Sequence, residues 1–245
     1  MKIIKAGYQI INPDIDDPNG ASKIYKMIER AGRTCYKSED KITDDSAEKF
    51  VRGLIKRGHE AMIEHASMTV VFTTDRGVSH EIVRHRIASF AQESTRYCNY
   101  SGDKFDKEVT FIRPCFFDEI SEERAAKIIH EYEEHGCSGI YEQFSERERQ
   151  YIDWYYACIC SEESYFGMLK DGATPQEARS VLSNSLKTEI VVTMNMREWR
   201  HFLKLRAARV SGKPHPQMLE IAVPLLNELR LKLPAIFDDI EPMQE

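Results

Sequence analysis

The sequence contains no run near the roughly twenty apolar residues that cross a bilayer. Its opening, Met1-Lys2-Ile3-Ile4-Lys5, lacks the apolar stretch of a secretory signal. No membrane partner is expected. Its cysteines, Cys35, Cys98, Cys115, Cys137, Cys158 and Cys160, form no C-x-x-C pair and follow no regular spacing. A zinc knuckle and a disulfide framework are thereby excluded, leaving buried thiols in a reducing, cytoplasmic setting. Neither G-x-G-x-x-G nor G-x-x-x-x-G-K-S/T occurs, so a nucleotide cofactor would have to bind without a Rossmann or P-loop cradle. An excess of positive charge is also missing: 34 Lys and Arg face 40 Asp and Glu, for a net charge of −6. Nucleic-acid binding draws on many phosphate contacts and is not expected here, whereas a small anion needs only a local basic cluster.

What is present is a chain of 245 residues, 42% hydrophobic, long enough to bury a sizeable core. One domain over residues 1–245 is expected, without repeats or linkers. Met68 to Thr73 (MTVVFT) and Glu189 to Met194 (EIVVTM) read as core strands, being apolar and β-branched. Met1 to Ile11 reads as a first strand, closed by the turn-rich Pro13 to Gly20. Ile24, Met27, Ile28 and Ala31 recur at helical spacing. A second helix starts at Asp44-Asp45-Ser46 and stops at Gly58. Asn99 to Pro114 reads as irregular, and Ser121 to Lys170 as a long, charged, aromatic-studded stretch. Thr174 caps a helix with Pro175 in its first turn. Met196 to Ala208 and Gln217 to Leu231 complete the helices. Strands scattered among helices without βαβ alternation predict an α+β fold.

The densest chemistry runs from Arg84 to Arg96, at the end of a helix expected from Gly77 to about Gln92. On that helix Val83, Ile87 and Phe90 would pack inward, while Glu81, Arg84, His85 and Ala88 share another face. Arg84 and Arg86 would diverge by about 200° and so serve two molecules, or one molecule and a neighbouring subunit. Just beyond, Ser94 and Arg96 could converge on a phosphate. Further on, Arg197, Arg200, Arg206 and Arg209 read either as a basic helix surface or, with Arg197 and Arg206 on one side, as an anion-facing stripe. His59 and His65 are six residues apart and share no helix face, so no metal site is expected. The aromatics Tyr151, Trp154, Tyr155, Tyr156 and Tyr165 read as core or subunit interface, not as base-stacking platforms. His215 reads as a loop residue.

Arg84-His85-Arg86, seven residues, then Ser94 matches the RHR-x7-S signature of flavin-dependent thymidylate synthases, and the chain resembles that family elsewhere too. Gly58-His59-Glu60-Ala61-Met62-Ile63-Glu64-His65 resembles its G-H-x-S/T-P-x-E-H segment. Asn195-Met196-Arg197, Phe202-Leu203-Lys204-Leu205-Arg206 and Glu177-Ala178-Arg179 resemble its N-x-R, F-L-x-L-R and E-x-A-R elements. The resemblance spans about residues 28 to 221 and implies a central, mainly antiparallel sheet flanked by helices. It also implies a homotetramer with active sites at its interfaces. The implied reaction is reductive methylation of dUMP with FAD, NADPH and 5,10-methylenetetrahydrofolate, without a cysteine nucleophile.

Residue by residue, the resemblance places FAD against His59, Arg84, His85, Arg86, Gln92, Asn195, Met196, Arg197 and His201. The nucleotide falls to Glu81, Arg84, Gln92, Glu93, Ser94, Thr95, Arg96, Arg179 and Arg206, with Arg206 at the uracil ring as the catalytic group. Four positions depart from the family pattern. Ala61 and Met62 replace Ser/Thr and Pro, Ala91 stands where Asn is common, and Glu81 where Gln is common. A carboxylate at 81 beside an anionic substrate requires protonation or pairing, for which Arg84 is the expected partner. Two alternatives stand beside this reading: another flavin-dependent uracil methylase, and a catalytically idle nucleotide-binding protein of the same fold.

Overall fold

The computed structural model describes residues 1–17, 19–135, 140–208 and 212–243. Cys137 and Arg209 lie outside the described residues. The strands are β1 (Lys2–Ile4), β2 (Gly7–Asn12), β3 (Ser67–Asp75), β4 (Ala88–Gln92), β5 (Thr110–Ile112) and β6 (Lys187–Asn195). The helices are α1 (Gly20–Thr34), α2 (Ser46–Lys56), α3 (Arg76–Ile82), α4 (Glu122–Glu134), α5 (Glu146–Lys170), α6 (Pro175–Ala178), α7 (Met196–Arg206), α8 (Pro216–Lys232) and α9 (Pro234–Phe237). The class is α+β, as expected. Packing divides the chain into two compact units, one of Met1–Ala6, Thr74–Gly77 and Glu93–Thr188, the other of Gly7–Thr73, Val78–Gln92 and Glu189–Glu245.

The second of these units is built on a sheet of order β2-β3-β6-β4. β2 pairs antiparallel with β3, and β4 with β6, where Ala88 faces Met194 and Gln92 faces Ile190. The Met196 N–H donates to the Ala66 carbonyl at 2.9 Å and the Thr69 and Thr193 hydroxyls meet at 2.9 Å, an antiparallel match of β3 with β6. Side chains alternate across a strand. That period buries Met68, Val70 and Phe72 on β3 and Ile190, Val192 and Met194 on β6. Helix α7 covers them, with the Trp199 and Phe202 rings 6.3 and 6.2 Å from that of Phe72. The Trp199 indole N–H donates to the Met68 carbonyl at 2.9 Å, which satisfies the one polar atom of a buried ring. Ile24 and Ile28 of α1 are buried as their spacing predicts, whereas Met27 is exposed. α2 ends where expected, since Gly58 takes φ +69°, a left-handed stop that favours glycine.

The first unit joins β1 and β5 in a parallel pair, Ile4 opposite Ile112. The stretch beyond them forms α4 and α5. Phe117, Ile128, Ile129, Phe144, Tyr151 and Ile152 make one cluster, and Tyr100, Val109, Phe111, Tyr165 and Leu186 another. The aromatic residues of α5 therefore serve a core. Capping boxes start α5 (Ser145 with Glu148) and α6 (Thr174 with Glu177).

Three expected elements differ: Met1 to Ile11 forms two strands, β1 and β2, in different sheets, β5 lies within the stretch expected to be irregular, and the helix from Gly77 is cut short. The helix from Gly77 does not reach Gln92: α3 stops at Ile82, and residues 88–92 form β4. Pairing with β6 gives these five residues a hydrogen-bond ladder that a solvent-facing helix could not match, and tertiary pairing overrides local spacing. Val83 and Ile87 consequently do not pack inward, Ile87 being 66% exposed. Arg84, His85 and Arg86 occupy the connection between α3 and β4, so the shared helix face and the 200° divergence do not apply.

Candidate functional site

In the sheet-bearing unit the α3–β4 connection turns His85 inward, 6% exposed, against the edge of the Phe202 ring at 4.8 Å. Arg206, in the last turn of α7, reaches it. Its Nε donates to His85 Nε2 at 3.1 Å, its Nη1 to the Glu81 carboxylate at 2.8 Å and its Nη2 to the Glu81 carbonyl at 3.4 Å. Arginine keeps its protons at all ordinary pH, so His85 Nε2 must be the acceptor and its Nδ1 carries the proton. That Nδ1 faces Glu198 Oε1 at 3.5 Å. Burial, then the positive charge of Arg206 and the neighbouring His201, holds the His85 imidazole down at about 4. Burial likewise raises the Glu198 carboxyl. The His85–Glu198 contact has ion-pair distance, but both groups are pushed towards neutrality, and the imidazole is a fixed, neutral acceptor for Arg206. Glu81 is paired with Arg206, not with Arg84 as expected.

A cavity of about 490 Å³ opens beside this network, lined by Glu60, Glu64, Asn195, Arg197, His201 and Lys204, among others. Asn195 caps α7, its side-chain oxygen accepting from the Glu198 N–H at 2.9 Å. The expected anion-facing stripe does not form. Nine residues make about two and a half helical turns, which puts Arg197 and Arg206 on opposite sides. Arg197 donates to Glu64 at 2.6 Å, and Arg200, 2% exposed, forks onto Asp239 at 2.6 and 2.7 Å with Glu60 at 3.3 Å. Only Arg206 of the three reaches His85. Donor atoms of His85, Glu198 and His201 lie within 4.8 Å of one another, a spacing that would suit a cation. The Arg206 guanidinium, bonded to the same imidazole, opposes one by charge repulsion.

The other unit assembles the remaining positions. Glu93 accepts from Lys187 at 3.1 Å and from the Tyr100 hydroxyl at 3.4 Å. Arg179 donates to the Thr95 hydroxyl at 3.3 Å, and Arg96 to the Gln176 side chain at 2.8 Å. The Ser94 hydroxyl accepts from the Arg96 N–H at 3.4 Å. Arg96 and Arg179 are exposed cations and meet no carboxylate among the described residues. Forked cations without a carboxylate partner suit a phosphate.

Of the residues expected around the cofactor, Asn195, Arg197 and His201 line the cavity together. Arg84 and Arg86 are exposed and unpaired among the described residues. Gln92 donates to the Ser79 hydroxyl at 2.8 Å. His59 is exposed at the start of the turn Glu60–His65. Met196 is fully buried and its N–H is already taken by Ala66. His215 caps α8 by accepting from the Gln217 N–H at 3.3 Å. The sequence reading missed Glu198 and Lys187. Glu198 stands three residues after a capping asparagine, where a carboxylate reads as part of the cap, so no local signal marks it for His85.

The antiparallel sheet and flanking helices, with no G-x-G-x-x-G loop, set this fold apart from the Rossmann type. The same fold is found in the UMP/dUMP methylase PolB from Streptomyces cacaoi bound with 5-Br dUMP. The two superimpose with a TM-score of 0.69 at 22% identity, over 97% of this chain and 96% of that one. The family described as thymidylate synthase complementing protein matches residues 21–235. The chain is 31% identical to the flavin-dependent thymidylate synthase of Corynebacterium aurimucosum, over 94% of its own length and 85% of the relative's. It is 29% identical to that of Geobacter sulfurreducens, over 86% and 80%. The chain belongs to the flavin-dependent thymidylate synthase family and is an enzyme of the methyltransferase class.

Proposed function

We propose that this protein methylates dUMP at C5 to give dTMP, with FAD as cofactor and NADPH and 5,10-methylenetetrahydrofolate as co-substrates. The observation that carries the reading is Arg206, a guanidinium fixed at three points by His85 and Glu81. C5 of uracil becomes nucleophilic as negative charge builds on the ring, and a pre-positioned cation stabilises that charge without reorganising. His85 serves by staying neutral: an imidazolium could not accept from Arg206 and would repel it. The relatives' names, flavin-dependent thymidylate synthase, support the substrate and the flavin.

The residues fit a flavin dinucleotide. Arg84 and Arg86 are cations without carboxylate partners among the described residues, suited to a diphosphate, and Asn195, Arg197 and His201 line a cavity. Bound reduced flavin would supply the hydride equivalent that completes the methyl group. Glu93, Ser94, Thr95, Arg96 and Arg179 would hold the nucleotide. The proposed reaction uses no cysteine nucleophile; burial pushes the Cys158 thiol up to about 12 and raises Cys98, which disfavours a thiolate at those two positions. A single domain and a cytoplasmic homotetramer complete the proposal. Absorbance of the purified protein tests it: a flavin spectrum that NADPH bleaches under anaerobic conditions is expected. A colourless protein that cannot be reconstituted with FAD would favour an idle nucleotide-binding role.

A further inference from the structure

The unit that carries α4 and α5 has a cavity of its own, about 470 Å³, which the family motifs do not touch. Arg113 and Tyr151 lie buried in it, and Ile3, Ile129, Ala126 and Tyr155 form part of its wall. Arg113 is 6% exposed. Its Nη2 donates to the Phe117 carbonyl at 2.7 Å and to that of Ile120, and its guanidinium lies 5.4 Å from the Tyr151 ring centroid. Its Nε is buried with no partner. Nη1 has no hydrogen bond, and no carboxylate forms an ion pair with the group among the described residues. Arg200 shows the usual solution for a buried guanidinium in this chain, with Asp239 and Glu60 beside it. Among the described residues, two carbonyl dipoles and one ring face are what compensates this largely buried charge. An uncompensated buried charge is costly, and buried charges are as a rule paired.

We propose that this cavity binds a small monocarboxylate with a flat, apolar or aromatic body, its carboxylate meeting Arg113. One buried cation calls for one negative charge. Glu122 and Glu133 stand exposed at the rim and disfavour a dianion such as a phosphate monoester, while Lys5, also at the rim, is already paired with Asp118 at 3.0 Å. The isoleucine walls and the Tyr151 and Tyr155 rings suit a planar apolar body, and the volume lies within the range of small-molecule sites.

Fluorine NMR of 4-fluorobenzoate titrated into the flavin-loaded protein tests this, with neutral 4-fluorobenzyl alcohol as the matched control. Saturable broadening of the benzoate signal is expected, at least tenfold weaker for the alcohol and unaffected by saturating dUMP. Arg113→Met should weaken binding at least tenfold. Because that change also frees the Phe117 and Ile120 carbonyls, Ala126→Trp provides a second test: it fills the cavity from an exposed position of α4 and should abolish binding. Equal binding of the neutral alcohol, displacement by dUMP, or unchanged binding in Ala126→Trp would each overturn the proposal.

Discussion

His85 offers the most quantitative prediction. Its imidazole is held near 4 in the folded protein, against an ordinary value of 6.5. The difference of roughly 2.5 units corresponds to about 3 kcal/mol at about 1.4 kcal/mol per unit. The sign follows from proton linkage. As pH falls, the unfolded chain takes up this proton first, so the contribution is intact above about 6.5, is lost progressively towards 4, and is flat below. Urea unfolding of flavin-free protein at one fixed protein concentration, at pH 7.5 and pH 4.5, would measure it. His85→Gln cannot titrate there, and the wild type should lose about 2–3 kcal/mol more than the variant over this interval. Glu198 shifts in the opposite direction, raised by burial, so its carboxyl gains relative stability as pH falls, in both proteins. Parallel pH profiles for the two proteins would rule out this proton linkage at His85. So would a nitrogen-15 NMR titration placing His85 at 6.5 or above, or showing the proton on Nε2.

Arg206→Ala should lower kcat at saturating dUMP by roughly 10²-fold or more, the scale of losing a positioned electrostatic donor, and Arg206→Lys should recover only part of it. Flavin reduction by NADPH in single turnover should persist in both, and a normal kcat with only a raised KM would reduce Arg206 to a binding residue. Glu81→Gln removes the carboxylate that neutralises Arg206 and should tighten dUMP binding several-fold by calorimetry; weaker binding would show that the ion pair positions the arginine. Arg86→Ala should mainly weaken FAD retention, and Ser94→Ala and Arg179→Ala mainly dUMP binding, each by about 1–3 kcal/mol. Equal losses for both ligands in all three variants would refute that division.

Much of the fold is legible in local patterns. β3 and β6 show as apolar, β-branched runs because one face of each is buried, and α2 shows its stop in Gly58. The sequence misleads where long-range pairing decides. Val83, Ile87 and Phe90 recur at helical spacing, yet β6 offers Ala88 to Gln92 a partner about a hundred positions later. The parallel partner of β1 is equally remote, at Thr110–Ile112. At the site, the signature named Arg84, His85 and Arg86, but their roles diverge for a reason no spacing reveals. His85 alone is buried, because Phe202 and Arg206 arrive from the far end of the chain to cover it. Glu81 likewise has a partner 125 positions away, where its neighbour Arg84 looked sufficient.

Flavin-dependent methylation of dUMP is tested by following conversion of dUMP to dTMP with each component omitted in turn. dTMP is expected only when FAD, NADPH and 5,10-methylenetetrahydrofolate are all present, including in a variant with every cysteine replaced. Formation of dTMP without flavin, or its absence from the complete mixture with flavin bound and reducible, would contradict it.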